Sequence, residues 1–283
     1  MSLNSVIFCA VLVAADAVCA PACGAADATA RRVSKAEYLD LMEAAVSAYS
    51  DEHVQNYIRT AERTGVEEHG FPRLAANIGF LLAHGRMPER RETFRRMMDI
   101  SCREAAQGRM RIEGNEFSVK ELVIALLEVE KANLLDTATT GVWRAGLAAV
   151  EASRCYTCLP EVGAGRAFNW CVFGCASEQI RLAAGLGGDP AHVEKYVADQ
   201  IRWLDANGMY RDPDQPAVYD FVTRLQFMTL LHFGYDGPSR AKLEALLDAS
   251  AEPTLAMLSA CGEIPYGGRS NQFLHNNTFY AAV

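Results

Sequence analysis

The chain has 283 residues, half of them apolar, which is enough to bury a substantial core in one large domain or two small ones. This composition excludes a disordered tail. The formal charge is −8 and the pI is near 5.3, with no block rich in lysine and arginine. The charge therefore argues against a surface for nucleic acid or for an anionic membrane, while local arginine residues remain available for an acidic substrate.

The first thirty residues are typical of a targeting segment, because an apolar run from Val6 to Ala15 is followed by small residues. We interpret residues 1–30 as a candidate signal peptide. Its removal takes away Asp16 and Asp27 and no basic residue, so the formal charge changes from −8 to −6. No later apolar run free of charge reaches about 20 residues. We expect a secreted or periplasmic protein with no membrane association after signal removal.

Helix signals dominate the rest of the chain, and strand signals are nearly absent. The capping-box pattern S-x-x-E at Ser34–Glu37 and at Ser118–Glu121, each before an apolar-periodic run, predicts two helix starts. Asp189-Pro190 predicts a third start, and Asn207-Gly208 predicts the end of that helix. Together with the apolar periodicity, these signals predict helices at residues 35–50, 52–64, 72–84, 89–106, 119–131, 136–152, 168–186, 219–233 and 239–249, besides the one that begins at Pro190.

Mostly short polar loops join these helices, which makes antiparallel neighbours the expected arrangement. Helical hairpins of about fifty residues fit either a solenoid or a closed double ring, and no repeated sequence motif favours a solenoid. We therefore predict an all-α fold over residues 31–283, an (α/α) toroid or barrel of helical hairpins. The chain stops at Tyr280–Val283 within an apolar helical pattern, so this domain is expected to be truncated and incomplete at its C-terminus.

Six cysteines lie beyond the candidate signal peptide, and four of them are regularly spaced as Cys155-x-x-Cys158 and Cys171-x-x-x-Cys175. Four thiolates can complete a structural zinc site. The spacing of the second pair also fits a small apolar stripe on a helix, and disulfides are the more common use of cysteine in a secreted protein. Zinc ligand, disulfide and free thiol all stay open, and no metal is assigned.

The segment from Gly262 to Tyr280, GEIPYGGRSNQFLHNNTFY, gathers polar side chains around a double glycine, which predicts a tight turn. Its phenol Tyr266 precedes the turn. On the helix predicted to follow, Asn271 and His275 share a face because residues four apart are neighbours. Arg269 stands at the helix entrance, where a guanidinium can bind a carboxylate with two hydrogen bonds. The alternative is a polar turn before a helix whose apolar side chains pack in a core.

Two more segments place unusual side chains near helix starts. His69 lies in a turn before a helix, where an imidazole can act as an acid, a base or a ligand. The simpler alternative is a surface histidine. Asn169 precedes Trp170, a pair that can bind a sugar through an amide and an aromatic face. Here the alternative is a tryptophan in the core, which is the more common case.

A third segment, NGMYRDP followed by PAVYD, carries Tyr210, Arg211 and, in the next helix, Tyr219. Loops at one end of a helical barrel are where such a fold displays its binding residues. A phenol is a usual group for moving protons beside a neutralised carboxylate. The same segment supplies Asp212 and Asp220, and a pair of carboxylates suits glycoside hydrolysis instead.

Taken together, these motifs resemble a known family. NW followed by GCASEQIRLAAGLG, then NGMYRDP, PAVYD, GYDG and GEIPYGGRSNQFLHN, are similar to toroidal polysaccharide lyases, in particular the group that cleaves L-rhamnose-α-1,4-D-glucuronate linkages at the ends of arabinogalactan-type glycans. The resemblance spans roughly residues 50–283, and GGRSNQFLHN and MYRDP are its most specific motifs. It implies an α/α barrel, usually followed by a β-sandwich that this chain lacks, and β-elimination at a uronic acid of an acidic poly- or oligosaccharide.

The implied reaction needs a group that neutralises the uronate carboxylate, a base that removes the C5 proton and an acid that protonates the leaving oxygen. The resemblance implies neutralisation by Arg269, Asn271 and Asn169, and acid or base roles for His275, His69 and Tyr210. The candidates for sugar binding are Arg269, Asn169, Trp170, Arg211, Tyr219 and Tyr266. No cofactor is implied.

Two other functions compete with a carbon–oxygen lyase. The first is a glycoside hydrolase on a similar toroid, using Asp212 or Asp220 with Glu178 or Glu263. The second is a non-catalytic glycan-binding protein or helical scaffold. The mass of the product separates the two enzymes, because hydrolysis adds a water and elimination does not.

Overall fold

The computed structural model describes residues 34–67, 69–108, 115–156, 165–212 and 217–257. The candidate signal peptide and the polar segment from Gly262 to Tyr280 lie outside these ranges. Within them the chain is helical and forms no β-strand, which confirms the all-α prediction.

Short connections join most of the helices. In chain order they are α1 (Lys35–Ser47), α2 (Asp51–Thr64), α3 (Gly70–Ala83), α4 (Arg91–Ala106), α5 (Asn115–Lys131), α6 (Thr137–Ala148), α7 (Ala152–Cys155), α8 (Asn169–Ala183), α9 (Pro190–Gln200), α10 (Ala217–His232), α11 (Arg240–Ala249) and α12 (Ala251–Ala256). Single 3-10 turns precede α4 and follow α9. None of the helices in the described ranges is long and apolar enough to cross a membrane.

Two of the predicted helix starts are confirmed. Ser34 closes a capping box on α1: its Oγ accepts from Glu37 N at 3.3 Å, and its own N donates to Glu37 Oε2 at 2.8 Å. Asp189 caps α9, with Oδ1 accepting from Ala191 N at 2.9 Å, and Pro190 fills the first helical position, where no N–H is needed. Local cap chemistry decides where these two helices begin.

The helix start predicted at Ser118 is wrong. Helix α5 begins at Asn115, so Ser118 and Glu121 lie inside it, and both are buried. Asn115 Nδ2 donates to Cys155 O at 2.9 Å and ties the beginning of α5 to the end of α7. Tertiary contacts therefore carry the helix beyond the sequence pattern that resembled a cap.

The helix expected to continue to Asn207-Gly208 ends earlier, at Gln200. Asp205 Oδ1 accepts from the backbone N–H of Asn207 at 2.9 Å and from that of Met209 at 3.0 Å. An aspartate that bonds the backbone in this way stabilises a turn in competition with a helix. The apolar periodicity after Gln200 therefore belongs to a 3-10 turn and a loop.

Arg181 interrupts the helix predicted over residues 136–152. Its Nε donates to Leu147 O at 3.1 Å, and its Nη2 donates to Val150 O at 2.8 Å. Carbonyls at a helix end need partners from outside the helix, and here a guanidinium supplies them. The predicted helix consequently ends at Ala148, and the short α7 begins at Ala152.

Helices α3, α5, α8 and α10, named the helix row, pack each against the next. The first two run in the same direction. The ring of His69, at the start of α3, lies 6.1 Å from that of Phe117, near the start of α5. Beyond the other end, His84 Nε2 lies 3.7 Å from Glu128 Oε2.

The other two helices of the row follow the same direction. Lys120 Nζ lies 4.9 Å from the ring centroid of Phe173 in α8 and donates to Gln226 Oε1 in α10 at 2.7 Å. Further along, Gln179 Nε2 donates to Phe233 O, just after α10, at 2.9 Å. The starts of all four helices therefore come to one end of the molecule.

Helices α4, α6, α9 and α11 pack against the helix row. Gly79 permits a close approach of α3 and α4, because a Cβ at that position would lie 2.4 Å from the ring of Phe94 in α4. The buried apolar side chains form one cluster centred on α1 to α6 and another on α8 to α11. This packing holds the starts of the row helices in place.

Candidate functional site

An aromatic cluster, made of His69, Phe117, Trp170 and Phe173, lies where α3, α5 and α8 begin. The ring of Phe117 is 6.1 Å from His69, 5.8 Å from Trp170 and 4.0 Å from Phe173, centroid to centroid. His69 and Trp170 are partly exposed, whereas the two phenylalanines are buried. Two residues that the sequence analysis singled out separately thus meet on one buried ring.

Two buried cations lie about one helical turn further in, against the same rings. The Arg73 guanidinium carbon is 5.2 Å from the centroid of Phe117, and Lys120 Nζ is 4.9 Å from that of Phe173. A desolvated cation–π contact stabilises by about 2 kcal/mol. The aromatic cluster is therefore coupled to positive charge, a combination that suits an anionic sugar.

Glu121 supplies negative charge beside these cations. Its Oε2 lies 3.3 Å from Arg73 Nε, and within the described ranges neither carboxylate oxygen has a hydrogen-bond partner. Burial raises the pKa of the Glu121 carboxyl, and the neighbouring Arg73 and Lys120 oppose this shift. Burial also lowers the pKa of Arg73, against the effect of Glu121. Desolvation is thus the larger influence on both partners.

Tyr210 is buried and holds the segment that precedes α8. Its hydroxyl donates to Gln200 Oε1 and accepts from Phe168 N at 2.8 Å. Burial raises the pKa of this phenol well above its usual value. Because the ring of Phe168 lies 5.3 Å from that of Trp170, the phenol supports one wall of the aromatic cluster. Its assignment as an acid or base stays a prediction.

Of the other predicted sugar-binding residues, Asn169 is buried at the first position of α8, beside the aromatic cluster. Tyr219 is partly exposed in the first turn of α10. Arg211 is exposed, and its Nη2 pairs with Asp205 Oδ2 at 2.7 Å within its own turn. The structure therefore brings His69, Asn169 and Trp170 together and keeps Arg211 in an ion pair elsewhere.

Two of the four carboxylates proposed for hydrolysis, Glu178 and Asp220, are held by structural partners, whereas Glu263 lies outside the described residues. Glu178 Oε1 accepts from Tyr156 OH at 2.5 Å and from Arg181 Nη1 at 2.6 Å. Asp220 Oδ2 accepts from Arg224 Nη2 at 2.6 Å. Burial raises the pKa of Asp220, and its hydrogen bonds with Arg224 lower it. Both carboxylates are buried, which leaves little access for a substrate.

The four cysteines within the described ranges are buried thiols, namely Cys102, Cys155, Cys171 and Cys175, whereas Cys158 and Cys261 lie outside. Cys155 Sγ donates to Ala105 O and Cys175 Sγ to Val193 O, both at 3.7 Å. Among the residues that the structure describes, no three His, Cys, Asp or Glu side chains are placed to hold a metal ion. These cysteines behave as small apolar core residues.

The remaining predicted site residues belong to the segment from Gly262 to Tyr280, which the structure does not describe. They are Tyr266, Arg269, Asn271 and His275. Their roles stay predictions that rest on local sequence and on the resemblance.

Sequence analysis missed Arg73, Lys120 and Glu121 as site residues. The spacing of Glu116 and Lys120, four apart, is typical of an exposed ion pair on a helix. The available signal was helix α5 itself, which carries apolar residues on nearly all sides. A helix with that pattern is largely buried, and the charged residues in its first half, Glu116, Lys120 and Glu121, are buried with it.

No family model, no curated protein and no solved structure matches this chain. The similarity to toroidal polysaccharide lyases accordingly rests on the motifs quoted above. The geometry of the aromatic cluster is an independent observation.

Proposed function

We propose that the protein is a carbohydrate-active enzyme, a polysaccharide lyase that cleaves a glucuronate-containing glycan by β-elimination. The observation that supports this most is the meeting of His69 and Trp170 on Phe117, next to buried Arg73 and Lys120. An acidic sugar is recognised by an aromatic face and by a cation near its carboxylate, and an imidazole can move its protons. All three kinds of group occur in this cluster.

In the proposed reaction the uronate carboxylate lies over the aromatic cluster, and the buried cations Arg73 and Lys120 stabilise through their electric field the negative charge that develops in the transition state. His69 accepts the C5 proton. The electron pair of the C5–H bond forms the C4–C5 double bond, and the C4–O bond breaks. The leaving oxygen takes a proton from an acid, for which His275 is the sequence candidate. No water is added and no cofactor takes part.

We further infer that an (α/α) toroid over residues 31–283 carries the site. A row of helices running in one direction, with other helices packed against it, is what a segment of such a ring requires. In a closed ring, the starts of the row helices would surround the central opening. The aromatic cluster would then form part of the wall of that opening.

The proposed substrate is an acidic poly- or oligosaccharide, encountered in the periplasm or outside the cell after removal of residues 1–30. The net negative charge of the chain is unfavourable for general attraction of such a polymer. Recognition would therefore depend on local cations such as Arg73. The same negative charge disfavours nucleic acid as a partner.

The glycoside hydrolase is the less favoured enzyme because Glu178 and Asp220, two of its four candidate carboxylates, lie outside the aromatic cluster and are each paired with an arginine. Hydrolysis requires two carboxyl groups that reach the scissile bond from opposite sides. The non-catalytic glycan-binding scaffold differs from the lyase only in turnover. Both alternatives are separated from the proposal by the products formed.

The test incubates the full chain with a glucuronate-bearing glycan and follows the ultraviolet absorbance of unsaturated uronate. We expect His69→Gln to lower turnover by about a hundredfold or more, the contribution of a general base. His232→Gln, an exposed imidazole at the far end of α10, is the matched control and should behave as wild type. Absence of unsaturated product from every glucuronate glycan would overturn the proposal; saturated product would support the hydrolase, and binding without product the scaffold.

A further inference from the structure

A polar groove at the end of α2 plays no part in the proposed chemistry. Its volume is about 810 Å³, and it is lined by the ends of α2 and α4 and by α7. Arg63, Arg103 and Arg154, one from each of these elements, converge on it. We call it the arginine groove.

The charge of the arginine groove is positive. Its lining holds the three arginines and two carboxylates, Glu62 and Glu104. Glu62 Oε1 is already bound by Arg96, which lies outside the lining, at 2.8 Å. The groove therefore has more guanidinium groups than carboxylates left to neutralise them.

These guanidinium groups are only weakly engaged by the protein. Arg103 Nε is 3.7 Å from Glu104 Oε1, and its side chain is 50 % exposed. Arg154 Nη1 is 3.5 Å from Glu151 Oε1, and its side chain is 60 % exposed. The exposed pair of Arg154 with Glu151 stabilises by less than about 1 kcal/mol. An anionic ligand can replace it at little cost, whereas Arg103 lies beside a Glu104 side chain that is only 5 % exposed.

Two glycines shape the groove. Gly65 has φ of 86°, and a Cβ there would lie 3.0 Å from Glu104 Oε2. Gly108 has φ of 61°, and a Cβ there would lie 3.3 Å from Arg154 Nη2. Both backbone conformations favour glycine, and a side chain at either position would occupy space in the groove.

The arginine groove lies close to His69 along the chain. Gly65 lines the groove, and His69 follows four residues later, so at most about 14 Å of chain separates them. A smaller cleft of about 300 Å³, lined by Tyr57, Val66 and Phe71, shares Gly65 with the groove and continues toward α3. The groove, the cleft and His69 thus follow one another along the chain from the end of α2 to the start of α3.

We propose that the arginine groove is a remote subsite that binds a further acidic saccharide unit of the same glycan chain. The inference rests on the proposed function for its ligand, a carboxylate-bearing oligosaccharide. Guanidinium groups bind carboxylates through two parallel hydrogen bonds, and three of them spaced around one groove match successive acidic groups on a polymer. The groove then contributes affinity for long chains and takes no part in bond cleavage.

The experiment measures binding of an oligoglucuronate several units long to the full chain, at low salt and without reference to turnover. The variant Arg63→Gln/Arg103→Gln/Arg154→Gln should lose about tenfold in affinity, the sum of three weak charge contacts. Glucuronate monosaccharide should bind both proteins equally. Arg91→Gln/Lys131→Gln/Lys242→Gln removes the same charge from exposed positions away from the groove and is the matched control.

Equal affinity of the groove variant and the control variant for the oligoglucuronate would overturn the subsite, as would failure of wild type to bind it. Competition by polyglutamate as strong as that by oligoglucuronate would also overturn it, because the groove would then select charge and not a glycan. The lyase proposal is judged separately by ultraviolet product and His69→Gln. A groove without function leaves that result unchanged, and binding without unsaturated product leaves the subsite standing.

Discussion

Arg73 and Glu121 face each other between α3 and α5, with Nε 3.3 Å from Oε2 and side chains only 10 % and 3 % exposed. Burial favours the neutral form of each group, so it lowers the pKa of Arg73 and raises the pKa of Glu121. The charge of each partner opposes the shift of the other. A buried pair of this kind adds little net stability, since desolvation offsets the attraction. The pair lies beside the aromatic cluster, because Arg73 also contacts the ring of Phe117.

The first prediction concerns the cost of breaking this pair. We expect Arg73→Met to reduce the free energy of unfolding by about 3–5 kcal/mol at neutral pH, because it leaves the Glu121 carboxylate buried without its ion-pair partner. Urea unfolding measures this. The loss should shrink as the pH is lowered through the raised pKa of Glu121, because the protonated carboxyl needs no counterion.

The double variant Arg73→Met/Glu121→Leu is the control for the pair. It replaces both charges with apolar groups and should recover most of the stability that the single variant loses. A single variant that loses less than about 1 kcal/mol, or a double variant no more stable than the single one, would contradict this account of the pair.

The second prediction compares two glycines in α6. A Cβ at Gly146 would lie 2.7 Å from Cys102 O, a backbone atom of α4, whereas nothing lies within 4 Å of a Cβ at Gly141. We expect Gly146→Ala to destabilise by about 1–3 kcal/mol because it forces α4 and α6 apart. Gly141→Ala should instead stabilise by about 0.5–1 kcal/mol through helix propensity. Thermal unfolding of both variants tests the contact, and a stabilising effect at Gly146 would show that the helices can separate freely.

The existence of most helices could be predicted from periodicity, and two of their starts from cap residues, because these signals lie within a few residues of sequence. The boundaries failed where a partner distant in the chain intervenes. Arg181 binds carbonyls near the end of α6, which stops at Ala148 instead of residue 152, and Asn115 extends α5 through a bond to Cys155. No local sequence pattern indicates contacts between residues so far apart in the chain.

The candidate site was predictable in part. His69 and Trp170 were recognised individually, since an imidazole before a helix and a tryptophan beside asparagine are visible in the sequence. Their meeting on Phe117 depends on how α3, α5 and α8 pack. Lys120 was not recognised, because its spacing from Glu116 matches an exposed ion pair, although the apolar residues on nearly all sides of α5 indicated a buried helix.

The third prediction concerns pH and His192, whose ring lies 4.7 Å from Tyr196 and whose Nε2 is buried without a hydrogen-bond partner within the described ranges. Burial lowers the pKa of His192. The carboxylates of Glu178 and Asp189 oppose this shift, and Lys195 adds to it. Below about pH 6.5 the unfolded chain then binds a proton that the folded chain does not. Stability should therefore fall as the pH decreases from there through the lowered pKa.

The measurement for His192 is urea unfolding at a series of pH values. The contribution of one such histidine is at most about 1.4 kcal/mol per pH unit. His192→Phe should flatten the profile between neutral and mildly acidic pH, whereas His232→Phe, at an exposed position, controls for the loss of an imidazole. If His192→Phe and wild type show the same dependence of the free energy of unfolding on pH, the prediction is wrong. His192 would then accept its proton as readily in the folded state as in the unfolded one.

The fourth prediction separates a supporting role of Tyr210 from an acid–base role. Tyr210→Phe removes the hydroxyl that donates to Gln200 and accepts from Phe168 N, although Gln200 Oε1 still accepts from Phe168 N at 3.0 Å. We expect the free energy of unfolding to fall by about 1 kcal/mol, the net value of one hydrogen bond. Glycan turnover should fall by less than about tenfold, because only the position of Trp170 changes. An acid or base that acts on the substrate contributes about a hundredfold or more, so a loss of that size with unchanged stability would establish the phenol as a catalytic group instead.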